Sequence, residues 1–223
     1  EVVALMSDNG AGKSSLVKTI CGVYAPDGGS ITFDGQDIGG LDPREVQALG
    51  IETVYQDLAL APELDTPANL FLGRERLRSG VLGRLGVLDS RSMLAEARRL
   101  LTDLNVAIKD LRAPVAALSG GQRQSVAVAR AVTWGDRLVI MDEPTAALGV
   151  PQTRAVLDLI RVVRDSGRSV LLISHSVPDV LAVADRVEVL RLGRRVARLD
   201  GRNTTEEQIV GAMTGAFEQE DAA

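Results

Sequence analysis

Three stretches of the chain carry residue types that together could bind a polyphosphate and cleave it. Gly10-Ala11-Gly12-Lys13-Ser14 reads as a phosphate loop. Its glycines let the backbone turn N–H groups inward around an anion, the lysine would reach the β- and γ-phosphates, and the Ser14 hydroxyl would ligate Mg²⁺. The full pattern, G-x-x-x-x-G-K-[ST], opens with glycine, and Ser7 stands in that place. The loop is therefore expected to leave its strand strained or reshaped and to bind phosphate less well without losing it. Asp142 and Glu143 follow the apolar run Leu138-Val139-Ile140-Met141. Asp142 could hold Mg²⁺ through its water shell, and Glu143 could polarise an attacking water as general base. Leu118 to Gln124 reads Leu-Ser-Gly-Gly-Gln-Arg-Gln. Ser119 with Gln122 is a capping box that would start a helix running through Val132. Capping leaves Gly120 and Gly121 unexplained, because consecutive glycines weaken a helix start unless something approaches the backbone closely.

Such residues need a common edge to meet at, and the hydrophobic pattern supplies one. Val2 to Met6 is a short apolar run typical of a strand buried on both faces, and Lys13 to Ile20 reads as a helix with Leu16, Val17 and Ile20 on one side. Leu138 to Met141 and Ser169 to Ser174 are further buried-strand patterns, and Ile51 to Tyr55 reads as a short strand. Parallel strands deliver their following residues to the carboxyl edge of the sheet. That edge would receive Asp142, Glu143, Gln56 and His175, the only histidine. Taken alone, a glutamine at a strand end is usually solvated, and a lone histidine after a strand is usually structural.

In this order, the motifs resemble the ATP-binding subunit of ABC transporters, from Glu1 to about Gly215. The resemblance implies an α/β fold of the P-loop NTPase type: a mostly parallel core sheet, an antiparallel flank and an inserted helical subdomain. It implies ATP contacts from Asn9, Gly10, Ala11, Gly12, Lys13, Ser14, Ser15 and Gln56, and from Ser119, Gly120, Gly121 and Gln122 reaching the nucleotide held by a second protomer. Ser14, Gln56 and Asp142 would serve Mg²⁺, and Glu143 and His175 would be catalytic, the histidine orienting the glutamate and touching the γ-phosphate. The implied partners are a second copy or paired nucleotide-binding subunit, membrane permease subunits and, indirectly, a sugar-binding protein. The chain would then lie at the cytoplasmic face of the membrane, held there through the permease.

Two departures qualify the likeness. Pro144 to Gly149 occupies the loop that in most of the superfamily ends in aspartate. Together with Gly73 to Leu88, the Ala-Ala-Leu-Gly-Val ending resembles importers of simple sugars such as ribose and fructose. The chain also opens with Glu1 on the strand feeding the phosphate loop, where the family normally supplies further residues, including an aromatic that stacks on adenine. Stacking is worth on the order of 1–3 kcal/mol per base, so ATP is expected to bind at least about tenfold more weakly than in a longer relative.

Elsewhere the chain reads as ordinary globular protein. It has 223 residues, 45% hydrophobic and 25% charged, enough for one domain over 1–217 with a helical subdomain at about 57–115. The stretch 218–223 reads as an acidic tail. A net charge of −5 argues against broad nucleic-acid binding. Cys21, the single cysteine, reads as a small core residue. No apolar run is long enough to span a bilayer. Gly28 to Gln36 suggests a strand ending in an Asp-Gly turn on an antiparallel flank, Leu94 to Leu104 an amphipathic helix, Val187 to Leu199 a hairpin about Gly193, and Glu206 to Met213 a last helix. Two rival readings are a shortened module with little turnover and a soluble ABC ATPase of DNA repair or translation. The second lacks support in the long coiled coil or charged linker those proteins carry.

Overall fold

The computed structural model describes residues 1–8 and 10–216; Asn9 and the expected acidic tail at 218–223 lie outside the described residues. Four runs become parallel strands: β1 (Val2–Ser7), β4 (Ile51–Val54), β5 (Leu138–Asp142) and β6 (Ser169–Ile173). Of these, β1, β5 and β6 are apolar and largely buried on both faces, whereas β4 at the sheet edge buries only Ile51 and Val54. Between β1 and β4 lie α1 (Lys13–Ile20), the short pair β2 (Thr32–Phe33) and β3 (Gln36–Asp37), and α2 (Pro43–Ala48). Helices α3 (Thr66–Leu70), α4 (Val81–Arg84), α5 (Ser90–Asp103) and α6 (Gly120–Trp134) separate β4 from β5. After β5 come α7 (Val150–Asp165), then β6, α8 (Val177–Val183), β7 (Arg186–Arg191), β8 (Arg194–Asp200) and α9 (Glu206–Thr214).

The large sheet runs β4-β5-β6-β1-β7-β8, parallel from β4 through β7 and antiparallel only at β8. Residues alternate strictly between its faces. Ala4, Met6, Val139, Met141, Val170 and Leu172 enter the core shared with α5, α6, α7 and α9. Leu5, Ile140 and Ile173 enter a smaller core on the other face with Val17 of α1, Val46 of α2 and Cys21. Cys21 is buried as expected, with its Sγ 3.0 Å from the Thr53 hydroxyl.

The element expectations hold closely where apolar periodicity was strong. Helix α1 spans Lys13–Ile20, and the hairpin turns at Leu192-Gly193. The amphipathic helix begins earlier than Leu94, at Ser90, because Asp89 accepts a hydrogen bond from the Ser92 N–H and caps it. The expected strand near Phe33 does turn at Asp34-Gly35, but its two-residue arms pair only with each other. The antiparallel element of the large sheet is β8 instead. Its longer ladder has Val187 and Val189 to bury, whereas Thr32, Gln36 and Asp37 are exposed.

Candidate active site

Strand β1 ends at Ser7 and delivers the phosphate loop to the carboxyl edge of the sheet. Gly10 and Gly12 adopt φ of 84° and 99°, a region open to glycine at little cost, and a side chain at either would meet nothing within 4 Å. Gly12 forms the N-terminus of α1 with no side-chain cap, so the first N–H groups of the helix remain open to an anion. Ala11 is buried, while Gly10, Gly12, Ser14 and Ser15 are exposed on the loop's outer side. Lys13 folds back over the loop: its Nζ donates to Ser7 O at 2.8 Å, Ser7 Oγ at 2.7 Å and Asp8 O at 3.3 Å.

The expectation of strain at Ser7 is not met. Ser7 keeps strand geometry, stays in register with Leu190 and is fully buried. Its backbone is absent from the positive-φ positions among the described residues. A side chain fits there because it points at the Lys13 ammonium and so finds a polar partner, instead of crowding the turn.

Strand β5 ends in Asp142, and Glu143 follows with φ 49°, a left-handed conformation rare for a side chain of this size. The Glu143 N–H donates to Ile173 O at 2.9 Å, extending the β5–β6 ladder by one residue. Burial, and then the neighbouring Glu143, push the Asp142 carboxyl above the ordinary aspartate range, while Lys13 pulls it down. From the end of β6, His175 brings its Nδ1 to 2.8 Å from Glu143 Oε2. Gln56 is exposed two residues beyond β4, at the same edge, since Val54 is in register with Met141. Phosphate loop, carboxylate pair, histidine and Gln56 thus converge on one edge.

The signature segment stands apart. Ser119 is the N-cap of α6 and is exposed. Both halves of the capping box form: the Gln122 N–H donates to Ser119 Oγ at 3.3 Å, and Gln122 Oε1 accepts from the Ser119 N–H at 3.0 Å. Gln122 Nε2 also donates to Ala107 O at 3.3 Å. Among the described residues, none of the hydrogen bonds of Ser119 or Gln122 reaches the phosphate loop of the same chain.

Residues 1–146 match the family model described as ABC transporter. The chain belongs to the ABC transporter family. This ABC chain is 48% identical to the fructose import ATP-binding protein FrcA of Rhizobium meliloti, over 98% of its own length and 85% of FrcA. It is 44% identical to the xylose/arabinose import ATP-binding protein XylG of Sulfolobus acidocaldarius, over 96% of itself and 83% of that protein. Its fold is similar to the ADP conformation of MJ1267, an ATP-binding cassette of an ABC transporter, with TM-score 0.76 at 25% identity, covering 96% of this chain and 84% of that one.

In this ABC chain, Gln152, Arg130 and Asp179, which no motif flagged, connect the motif segments. A Cβ on Gly121 would lie 2.9 Å from both Cβ and Cγ of Gln152, and one on Gly120 would meet Leu148 at 3.4 Å. The glycine pair therefore has an intramolecular reason as well: α7 and the loop before it close onto the start of α6. A Cβ on Gly149 would stand 2.8 Å from Gln152 Oε1, so this one glutamine fills the space left by two glycines. Arg130 of α6 donates to Ala59 O at 2.7 Å and Leu58 O at 2.9 Å, holding two residues that both have positive φ just after Gln56. Thr145 Oγ1 donates to Asp179 Oδ2 at 2.7 Å, tying the loop after Glu143 to the helix after His175. Of these, only Asp179 had a readable signal: Ser176 followed three residues later by an acid is a helix-start pattern, and the Ser176 hydroxyl does accept from the Asp179 N–H.

The residues fit a magnesium nucleotide. Among the described residues, no cluster of three His, Cys, Asp or Glu side chains could cage a metal by itself. Magnesium is commonly held by one or two carboxylates together with substrate phosphates and water. Asp142 at the end of β5 and the Ser14 hydroxyl at the start of α1 would supply such a partial set.

Proposed function

We propose that this chain is the ATP-hydrolysing subunit of an importer of a simple sugar, working as a pair of copies on a membrane permease. The import reading rests on the sugar-importing relatives, FrcA above all, which align along nearly the whole chain. The observation that carries the mechanism is the separation within one chain: Lys13, Asp142, Glu143 and His175 gather at the sheet edge, while the exposed Ser119 caps a helix that, among the described residues, makes no hydrogen bond to them. A second copy lying head to tail would set its own Ser119 to Gln122 against the nucleotide on the first.

In this reading Gly10, Ala11, Gly12, Lys13, Ser14 and Ser15 cradle the triphosphate through backbone N–H groups, one ammonium and two hydroxyls. Asn9 is assigned to the same cradle. Ser14, Asp142 and Gln56 would hold Mg²⁺, which neutralises charge on the phosphates. Glu143 takes a proton from the attacking water, and His175 fixes the orientation of that carboxylate. ATP favours the closed pair by binding it better than the open one, and hydrolysis removes that preference. The segment 57–115 acts as a helical subdomain facing the permease, in a domain covering 1–217. Its apolar surface supports this role: Val81 and Leu85 are 71% and 73% exposed, with Leu77 and Leu82 beside them. Among the described residues no helix is long and apolar enough to cross a membrane. A sugar-binding protein on the far side would select the cargo.

The test is transport. Membrane vesicles carrying the permease and this chain are loaded with ATP, the sugar-binding protein is supplied on the outside, and uptake of labelled fructose, ribose, xylose and arabinose is measured. ATP-dependent uptake of one of them is expected, and it should disappear with Glu143→Gln. Ser119→Arg should leave ATP on the phosphate loop while preventing ATP-induced pairing in light scattering. ATP hydrolysis without uptake of any sugar would overturn the import reading, and pairing unaffected by Ser119→Arg would overturn the head-to-tail arrangement.

A further inference from the structure

We propose that Ser7 sets the nucleotide affinity of the phosphate loop by competing with phosphate for the Lys13 ammonium, an inference that rests on the reading of this loop as the ATP site. A lysine ammonium has three N–H donors. The chain offers it three acceptors: Ser7 O at 2.8 Å, Ser7 Oγ at 2.7 Å and Asp8 O at 3.3 Å. The shortest of the three contacts is the hydroxyl, which glycine at this position in the pattern would lack.

The hydroxyl is held for this purpose. Ser7 is fully buried at the end of β1, and Ser7 Oγ donates its own proton to Asp8 O at 2.8 Å. Its lone pairs are thereby turned toward Lys13, making it a fixed acceptor. A hydrogen bond from a charged donor is stronger than a neutral one. A β- or γ-phosphate oxygen that takes a place on Lys13 must displace one of these acceptors. When the hydroxyl is the one displaced, a buried acceptor is left without its partner, which is costly. With glycine, the same N–H would face water and be surrendered easily. Ser7 is thus a positioning residue: it acts on nucleotide through Lys13 and touches no reacting atom.

Removal of the hydroxyl is expected to tighten ATP and ADP alike, because both carry the β-phosphate, by about tenfold, the factor that corresponds to one such bond. The experiment titrates ATP and ADP onto the full chain as wild type, Ser7→Ala, Ser7→Gly, Lys13→Ala and the Ser7→Ala/Lys13→Ala double variant, by calorimetry or fluorescent-analogue displacement. Both Ser7 variants should bind more tightly, with a matching fall in the KM for ATP, and the gain should vanish when Lys13 is absent. Ser7→Gly, the residue the pattern calls for, guards against a packing defect in the alanine variant. Unchanged or weaker binding in both Ser7 variants overturns the proposal, as does an equal gain without Lys13. Failure of the underlying ATP-site reading looks different: wild-type binding would then be indifferent to Lys13→Ala.

Discussion

His175 Nδ1 lies 2.8 Å from Glu143 Oε2, joining residues that follow neighbouring strands of the sheet. The two sit in different surroundings, the histidine side chain 67% exposed and the glutamate 14%. The sheet thus holds the glutamate in place through its N–H bond to Ile173 O, while the exposed imidazole can swing toward a partner. Glu143→Gln is expected to keep ATP affinity within about twofold while slowing hydrolysis by about 10²–10⁴, the range of a general base. His175→Ala should also slow turnover, by less, since water can replace an orienting bond. Single-turnover hydrolysis with separately measured ATP affinity checks both; full turnover in Glu143→Gln would remove it from the base role.

Asp142 carries a pH signature. Its pKa is raised above the ordinary 3.8, chiefly by burial and secondarily by Glu143. A carboxyl whose folded pKa exceeds its unfolded one holds its proton better when folded, so its favourable contribution is complete below the unfolded value and lost as pH rises through the folded one. At neutral pH without nucleotide, Asp142→Asn is therefore expected to melt higher than wild type, with the gap closing as pH falls toward about 4. Adding Mg²⁺ and ATP should reverse the order, because the wild type alone regains a cation for the carboxylate. Thermal melts across that range decide it; a gap that widens on acidification would show that the shift has the opposite sign.

How far the site was readable depended on whether a residue's neighbours are local. The apolar runs before Ser7, Asp142 and His175 are buried on both faces, so composition alone placed their ends at one edge. Helix α1 was equally clear in its bounds, since Lys13 to Ile20 starts at a glycine turn, but of its expected apolar face only Val17 is buried and Leu16 is exposed. Ser7 was visible as a departure, but its consequence was not: the sequence pattern concerns backbone shape, whereas the observed effect is a side-chain bond to Lys13, six residues on. Gln152 left no trace, because what gives it meaning is the packing of α7 against Gly121 of α6, a relation between elements 31 residues apart. Arg130 was hidden similarly, its carbonyl partners lying 71 and 72 residues earlier.

The contact between Gly121 and Gln152 predicts a compensating pair. Gly121→Ala puts a methyl 2.9 Å from Gln152 Cβ and Cγ. Overpacking of this kind costs about 1–3 kcal/mol. Gln152→Gly alone should cost about 1 kcal/mol as a glycine in the first turn of a helix. Combined, the two should be less harmful than their sum, because the atoms in the way are gone. Urea unfolding of the four proteins forms the double-mutant cycle, and strict additivity would mean that the glycine is there for some reason other than Gln152.

Arg130 connects the signature helix to the loop that bears Gln56. Its guanidinium, largely desolvated and so with a lowered pKa, donates to the carbonyls of Leu58 and Ala59, whose φ values of 59° and 46° are unfavourable for side-chain-bearing residues. Among the described residues, the other hydrogen bonds of these two residues are Leu58 N–H to Tyr55 O and Ala59 N–H to Asp57 O, while the Leu58 side chain packs against the main core. Arg130→Met, which keeps the stem and removes the donors, should destabilise the chain by about 1.5–3 kcal/mol, the range for hydrogen bonds to a charged group. Hydrogen exchange should accelerate at residues 55–60 while the β1 and β5 amides stay protected. If Gln56 serves the metal, ATP hydrolysis should fall in Arg130→Met although no reacting group has been touched, and the loss should be larger at low Mg²⁺. Exchange that rises uniformly across the sheet would instead make Arg130 a general stabiliser with no particular hold on the Gln56 loop.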